Sequence, residues 1–275
     1  FGTTRTSVAT VDRGNYPVVT FTDSAGDAHE YVPSVAALRD GELVYGFEAI
    51  AAAEDGAAVL RSFKRALAAP TVTLKSTVRV GSDEVLLIDV LTGFLHSVKA
   101  GITEALDDPT PTCVVAVPAH AHGAQRLLTL EAFRRAGFAV TAMVNEPSAA
   151  GFEYTHRQGR TLNSRRSRVL VYDLGGGTFD ASLVSADGTS HEVVGSLGVN
   201  RLGGDDFDEA LARCALRAAG RGLDSLDDHA YATLLDECRA AKEHLSPQAR
   251  RIAVDVAGTP VTIAVADFYA EARSE

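Results

Sequence analysis

The chain has 275 residues, 46% hydrophobic and 23% charged, a balance that excludes intrinsic disorder and can fill one large core or two ordinary ones. Its 36 acidic residues against 26 basic ones give a net charge of −10, which argues against nucleic acid as a partner because phosphates demand a basic face. No apolar run approaches the roughly 18 residues that a membrane span needs, so no membrane partner is expected.

Taken in chain order, residues 6–11 and 18–22 read as short strands around the turn signal Asp12-Arg13-Gly14-Asn15. Residues 59–67 carry helical spacing that Pro70 stops. Residues 85–106 form a long amphipathic stretch, with Leu91, Phe94, Leu95, Val98 and Ile102 recurring at helical intervals. Residues 113–117 are a continuous apolar run, as expected of a strand buried on both faces, and 139–144 read the same way. A helix is expected between them over 125–136, and a short one over 148–154. Residues 156–168 hold five arginines and read as a solvated connecting loop, although a basic patch could also dock a phosphate or a partner. Residues 169–172, 181–184 and 191–194 read as a strand meander. Helices over 206–219 and 231–245, a hairpin over 251–256 and 261–265, and a helix from 267 complete the pattern. This mixture of βαβ units and hairpins predicts two α/β lobes divided near residue 165.

Cys113, Cys214 and Cys238 are odd in number and widely spaced, which fits a reducing cytoplasm better than a disulfide framework or zinc site. Cys113 and Cys214 read as core thiols. His120 and His122 lack a third ligand nearby in sequence and read as loop histidines. Only 4 of the 26 basic residues are Lys, a coding bias with no functional weight. The chain opens on Phe1 and its one Met is Met143, so it is expected to be a piece of a longer gene product.

A weak internal repeat is the most informative feature. Gly2, Thr3 and Thr4 precede a β-type run, and so do Gly175, Gly176, Gly177 and Thr178. Glycines in such turns let backbone N–H groups converge on an anion, and Thr hydroxyls add donors. A single copy reads as an ordinary hairpin; two point to a pair of phosphate-clasping turns. Asp173 stands just before the second turn, and a carboxylate beside a phosphate cradle implies an intervening Mg²⁺.

Val171-Tyr-Asp-Leu-Gly-Gly-Gly-Thr-Phe-Asp180 resembles the second phosphate motif of the seventy-kilodalton heat-shock (DnaK-type) chaperones. Phe1-Gly-Thr-Thr4 resembles their first phosphate motif, and Val144-Asn-Glu-Pro-Ser-Ala-Ala150 their connecting motif. Val115-Ala-Val-Pro-Ala119 with Gln125-Arg126, and Leu202-Gly-Gly-Asp-Asp-Phe-Asp208, match in order and spacing. The resemblance runs from residue 1 to about 245.

It implies an α/β, actin-like ATPase fold (with the ribonuclease H-like motif) whose two lobes hold ATP or ADP between them. Lobe I would span 1–165, with an outer subdomain at about 31–87. Lobe II would span 166–275, incomplete, with an outer subdomain at about 203–275. Gly2, Thr3, Thr4, Gly175, Gly176, Gly177 and Thr178 would clasp the phosphates, and Gly203, Gly204 and Lys242 would line the nucleotide site. Lys64 falls where the family positions the attacking water, and with Glu146, Asp173 and Thr178 makes up the implied catalytic set. Glu146 and Asp173 would hold Mg²⁺ mainly through waters, and Asp180 a monovalent cation such as K⁺. Pro118 and Arg126 match residues that relay nucleotide state.

Departures are also visible. The family carries an Asp shortly before the position of Phe1. Arg239 replaces its usual Glu, and Glu243 stands where some members have an adenine-stacking Arg. The family pattern continues past residue 275 with an adenosine segment, a linker and a peptide-binding β-domain. The resemblance implies a cytoplasmic chaperone ATPase, slow and partner-stimulated, acting on unfolded peptide clients with a co-chaperone and a nucleotide-exchange factor. An actin-like nucleotide-gated scaffold and a small-molecule kinase on the same fold are the alternatives.

Overall fold

A computed structural model describes residues 1–108, 110–157, 168–187, 190–199 and 202–273. The described elements run β1 (Arg5–Thr6), β2 (Phe21–Thr22), β3 (Ala28–His29), β4 (Val32–Pro33), β5 (Val35–Arg39), β6 (Glu42–Tyr45), α1 (Phe47–Glu54), β7 (Ala58–Arg61), a 3₁₀ helix (Phe63–Ala68), β8 (Thr77–Val80), β9 (Asp83–Leu86) and α2 (Leu87–Leu106). They continue through β10 (Thr112–Val117), α3 (Gly123–Arg135), β11 (Ala139–Asn145), α4 (Glu146–Arg157), β12 (Arg168–Leu174), β13 (Phe179–Asp187) and β14 (Ser190–Val199). The last are α5 (Gly204–Ala218), a 3₁₀ turn (Leu223–Ser225), α6 (Asp228–Glu243), β15 (Arg251–Asp255), β16 (Pro260–Ala264) and α7 (Val265–Ala272). The chain is therefore α/β. It divides into two compact units, Phe1–Gly175 with Phe179–Asn200, and Gly176–Thr178 with Arg201–Glu275.

The first unit is organised around α2. Leu87, Ile88, Val90, Leu91, Phe94, Leu95, Val98 and Ile102 are all buried, a wide apolar stripe at helical spacing. Asp107, in the left-handed conformation at φ 53°, ends the helix. Phe94 is fully buried and its ring contacts Phe1 and Phe63. β10 and β11 pair in parallel through the crossover helix α3, with a register shift at Cys113/Val114. His122 caps α3 through Nδ1, which accepts from the Gln125 backbone N–H at 3.2 Å. β12, β13 and β14 form an antiparallel meander.

Three local expectations need correction. Residues 59–67 are not one helix: Ala58–Arg61 pair with β5, and left-handed Ser62 (φ 52°) then turns the chain into the 3₁₀ helix. Val59, Leu60, Phe63 and Leu67 repeat at helical intervals, but β-branched and aliphatic residues satisfy a half-buried strand equally well. β10 and β11 form where expected yet are not buried on both faces, since Val114 is 59% exposed and β11 is half-buried or exposed throughout. The helix expected at 148–154 starts earlier, so Glu146 becomes the first residue of α4. The arginine-rich reading falls partly outside the description, because residues 158–167 lie beyond the described residues.

The second unit packs α5, α6 and α7 with the β15–β16 hairpin. Leu211, Leu216, Leu234, Cys238, Val254, Val256, Ile263 and Phe268 form its core. Asp227 caps α6 by accepting from the Ala230 N–H at 2.8 Å.

Candidate functional site

Lys64 reaches its position because left-handed Ser62 bends the chain and the 3₁₀ helix aims residue 64 inward. It is only 9% exposed, and its Nζ donates to the Phe1 carbonyl and to Glu146 Oε1, the latter at 3.1 Å. The Nζ also lies 5.3 Å from the centre of the Phe1 ring. Glu146 stands at the N-terminus of α4, directly after β11, where the helix dipole favours a carboxylate.

Asp173 and Asp180 face each other in register across the β12–β13 hairpin. Leu174 pairs with Phe179, so residues 175–178 make a four-residue turn between the two strands. Loss of hydration pushes the Asp173 carboxyl above its ordinary value, the charge of Glu146 adds to this, and Lys64 pulls it back. Asp180 is likewise raised, first by burial and then by Glu146 and Asp173, against the pull of His120. His120 Nδ1 lies 2.7 Å from Asp180 Oδ1. Lys64, Glu146, Asp173 and Asp180 thus form one electrostatic cluster within the first unit. Of its carboxylates, Glu146 and Asp173 carry oxygen donors of the kind a hard divalent cation takes.

The first glycine turn belongs to the same unit. A Cβ on Gly2 would lie 2.1 Å from the Arg5 carbonyl oxygen, so this close approach requires glycine. Ser34 fastens the turn: its Oγ donates to the Gly2 carbonyl at 3.0 Å, and its N–H donates to the Thr4 carbonyl at 2.9 Å. Thr4 Oγ1 is buried with no hydrogen-bond partner among the described residues, the kind of hydroxyl that a ligand oxygen would satisfy. Thr3 sits half-buried beside it.

The second unit holds the other group of expected residues. Asp205 N–H donates to the Gly176 carbonyl at 2.7 Å, tying the second glycine turn to the first residues of α5. A Cβ on Gly203 would meet Gly176 O at 2.4 Å and Gly177 N at 2.7 Å, so glycine is obligatory there too. Gly177 is buried and Thr178 half-buried. Lys242 Nζ donates to the Gly204 carbonyl at 2.7 Å and lies 2.6 Å from Asp208 Oδ1. Arg239 contacts Asp208 Oδ2 at 3.1 Å, Asp205 Oδ1 at 3.2 Å and Asp236 Oδ1 at 3.4 Å. Asp208 is 1% exposed, and burial raises its carboxyl against the pull of Lys242 and Arg239.

Sequence reasoning passed over three participants. His120 read as a loop histidine because its carboxylate partner lies far along the chain. Asp208 was visible only as part of a matching motif. Arg239 read as a departure, whereas the structure gives it three carboxylates on α5 and α6. Arg126 bonds the carbonyls of Ala121 (3.0 Å), Pro118 (3.3 Å) and Ala119 (3.1 Å) and Asn145 Oδ1 (2.9 Å), so it fastens the end of β10 to the end of β11 beside Glu146. Cys113 is half-buried rather than a core thiol, while burial pushes the Cys238 thiol up to about 12.

Compared with known families, residues 1–263 match the one described as Hsp70 protein. The chaperone protein HscA of Citrobacter koseri is 34% identical over 275 residues, 94% of this chain and 43% of that protein. An HscA homolog of Acinetobacter baylyi is 39% identical over 161 residues, 58% of this chain and 26% of its own length. The chaperone protein DnaK of Metamycoplasma hominis is 29% identical over 250 residues, 90% of this chain and 40% of that protein. The chain thus spans less than half the length of these relatives. The glycine turns, the connecting motif and the match over nearly all its residues place the chain in the Hsp70 family.

Proposed function

We propose that the chain is the ATP-binding and ATP-hydrolysing part of a heat-shock-type chaperone, with the two-lobed actin-like ATPase fold. The observation that carries this is the pair of buried Lys64 with half-buried Glu146, set beside Asp173 and joined to the first glycine turn through the Phe1 carbonyl. Phosphoryl transfer asks a protein for positioning and charge neutralisation more than for covalent chemistry. The two glycine turns supply backbone donors for the phosphates. Lys64 spends one N–H on Phe1 and one on Glu146, which leaves the third to orient the attacking water. The water oxygen bonds the γ-phosphorus as the bond to the β–γ bridging oxygen breaks, giving ADP and phosphate.

Glu146 and Asp173 are the residues that would hold Mg²⁺, which when bound offsets the phosphate charge. Among the described residues no three His, Cys, Asp or Glu side chains converge as a metal cage. Thr178 and Gly175, Gly176 and Gly177 would cradle the phosphates, with Gly203, Gly204 and Lys242 on the nucleotide. Hydrolysis would change the grip of an attached peptide-binding domain on unfolded clients, slowly and under stimulation by a co-chaperone and an exchange factor. A cytoplasmic location accords with this reading, and no described helix is long and apolar enough to cross a membrane.

The kinase and scaffold readings have less support, since residues 1–263 match the Hsp70 family and the similar relatives carry chaperone names. Phosphate release from Mg-ATP, measured without added acceptor, tests the proposal. Steady release is expected; turnover only with a sugar or acid acceptor would favour the kinase, and none at all with retained binding the scaffold.

A further inference from the structure

A groove whose lining includes none of the expected nucleotide residues runs along one flank of α2, within the first unit. A cavity of about 390 Å³ there is lined by Phe21, Tyr45, Phe47, Glu48, Ser97 and Glu104, among others. A second hollow, of about 440 Å³, shares Tyr45 and Ser97 with it and carries Asp89.

Two glycines of α2 shape the groove. A Cβ on Gly93 would lie 2.2 Å from the Tyr45 hydroxyl, and one on Gly101 would lie 2.8 Å from Phe21 Cδ1. Both rings therefore rest directly on the helix backbone, about 12 Å apart along its axis, with Ser97 midway between them. The Ser97 hydroxyl donates to the Phe94 carbonyl at 2.8 Å, so only its acceptor capacity remains.

The charges of the groove have one sign. No Lys or Arg lines either hollow, whereas Glu48, Glu104 and Asp89 do. Glu48 already holds the Arg39 guanidinium, but Glu104 and Asp89 have no ionic partner among the described residues. Burial and then the charge of Asp89 push the Tyr45 hydroxyl up to about 12, so it stays neutral at physiological pH. Aromatic rings beside carboxylates suit a planar cation on an apolar stem, which is the chemistry of arginine. Asp89 and Glu104 stand fifteen residues apart on α2, about 22 Å along the axis. That span exceeds a small amine and matches about seven residues of extended chain.

We propose that this groove docks an extended, arginine-bearing segment of a partner protein, with one guanidinium taken by Glu104 in the Tyr45–Phe47 cavity and a second by Asp89.

The test is an NMR titration of backbone amides at physiological salt, which screens diffuse attraction to the acidic chain. The probe is an acetylated and amidated Gly/Ser peptide with two arginines six positions apart. Saturable shifts are expected at residues 45–48 and 97–104, and at least tenfold weaker binding when norleucine replaces both arginines. Glu104→Gln should weaken the peptide about tenfold, the scale for one charge-assisted hydrogen bond. Ser97→Leu, which fills the cavity, should abolish the shifts, and Asp224→Asn in the second unit should change nothing. Absence of shifts overturns the proposal, as does equal binding of the norleucine peptide or an Asp224→Asn effect as large as that of Glu104→Gln. Agmatine binding as tightly as the peptide would make the ligand a free amine and overturn the peptide assignment. If Ser97→Leu does not fold, Glu104→Gln still decides, because its carboxylate is exposed.

Discussion

Lys64 Nζ lies 3.1 Å from Glu146 Oε1 although 82 residues separate them in sequence. The pair fastens the 3₁₀ helix to the start of α4. Because Lys64 is largely buried, either partner alone would be left with an uncompensated charge. Lys64→Ala and Glu146→Ala should each destabilise the protein, and the double variant should lose less than the sum. A double-mutant cycle by urea unfolding should return a coupling of about 0.5–3 kcal/mol. Strict additivity would mean that the two side chains act independently.

Gly203 separates close packing from ordinary glycine flexibility. Its backbone is extended, so Gly203→Ala acts through the clash with Gly176 and Gly177 rather than through φ. Overpacking of this kind costs roughly 1–3 kcal/mol. Gly222→Ala is the control, because a Cβ there meets nothing within 4 Å; it should change stability by no more than about 0.5 kcal/mol. Chemical denaturation of both variants checks the contrast, and equal effects would count against the close approach.

Arg239 contacts Asp205, Asp208 and Asp236 together. Arg239→Ala should cost about 1–3 kcal/mol, the range for leaving buried polar groups short of a partner. Arg239→Glu should cost more, since it adds a fourth carboxylate to the group. Thermal unfolding gives the order. A glutamate variant as stable as wild type would show that the network contributes nothing.

Glu271 supplies a pH test in the second unit. Arg217 and then Arg213 hold its carboxyl below the ordinary 4.5, so ionised Glu271 stabilises the fold. That contribution is fully present above 4.5 and is lost as pH falls through the lowered folded value. Both arginine pairs are partly open to solvent, which limits the effect to about 1 kcal/mol or less. Glu271→Gln should therefore be less stable than wild type at neutral pH, with the gap narrowing in acid. A gap that widens in acid would reverse the sign of the argument.

Much of the fold was legible in the sequence because periodicity encodes it directly. The α2 stripe from Leu87 to Ile102 and the β12–β14 meander are examples. Residues 59–67 were not legible, since a strand followed by a 3₁₀ helix can carry the same apolar spacing as one helix. The motifs around Gly2, Glu146 and Asp173 could be found as local strings. The partner of His120 could not, because Asp180 lies 60 positions later and only the register of β13 and β14 brings Gly198 over the pair. The ion pairs of Arg239 were hidden for the same reason: their geometry depends on how α5 packs against α6.

The central claim is that Lys64 acts in hydrolysis rather than in holding the nucleotide. A single-turnover measurement, with binding and cleavage of ATP followed separately in wild type and Lys64→Ala, addresses it most directly. The account predicts ATP affinity within a few-fold of wild type and a cleavage rate lower by about 10²-fold or more, the scale for losing one positioned donor. Cleavage at the wild-type rate in Lys64→Ala would contradict it.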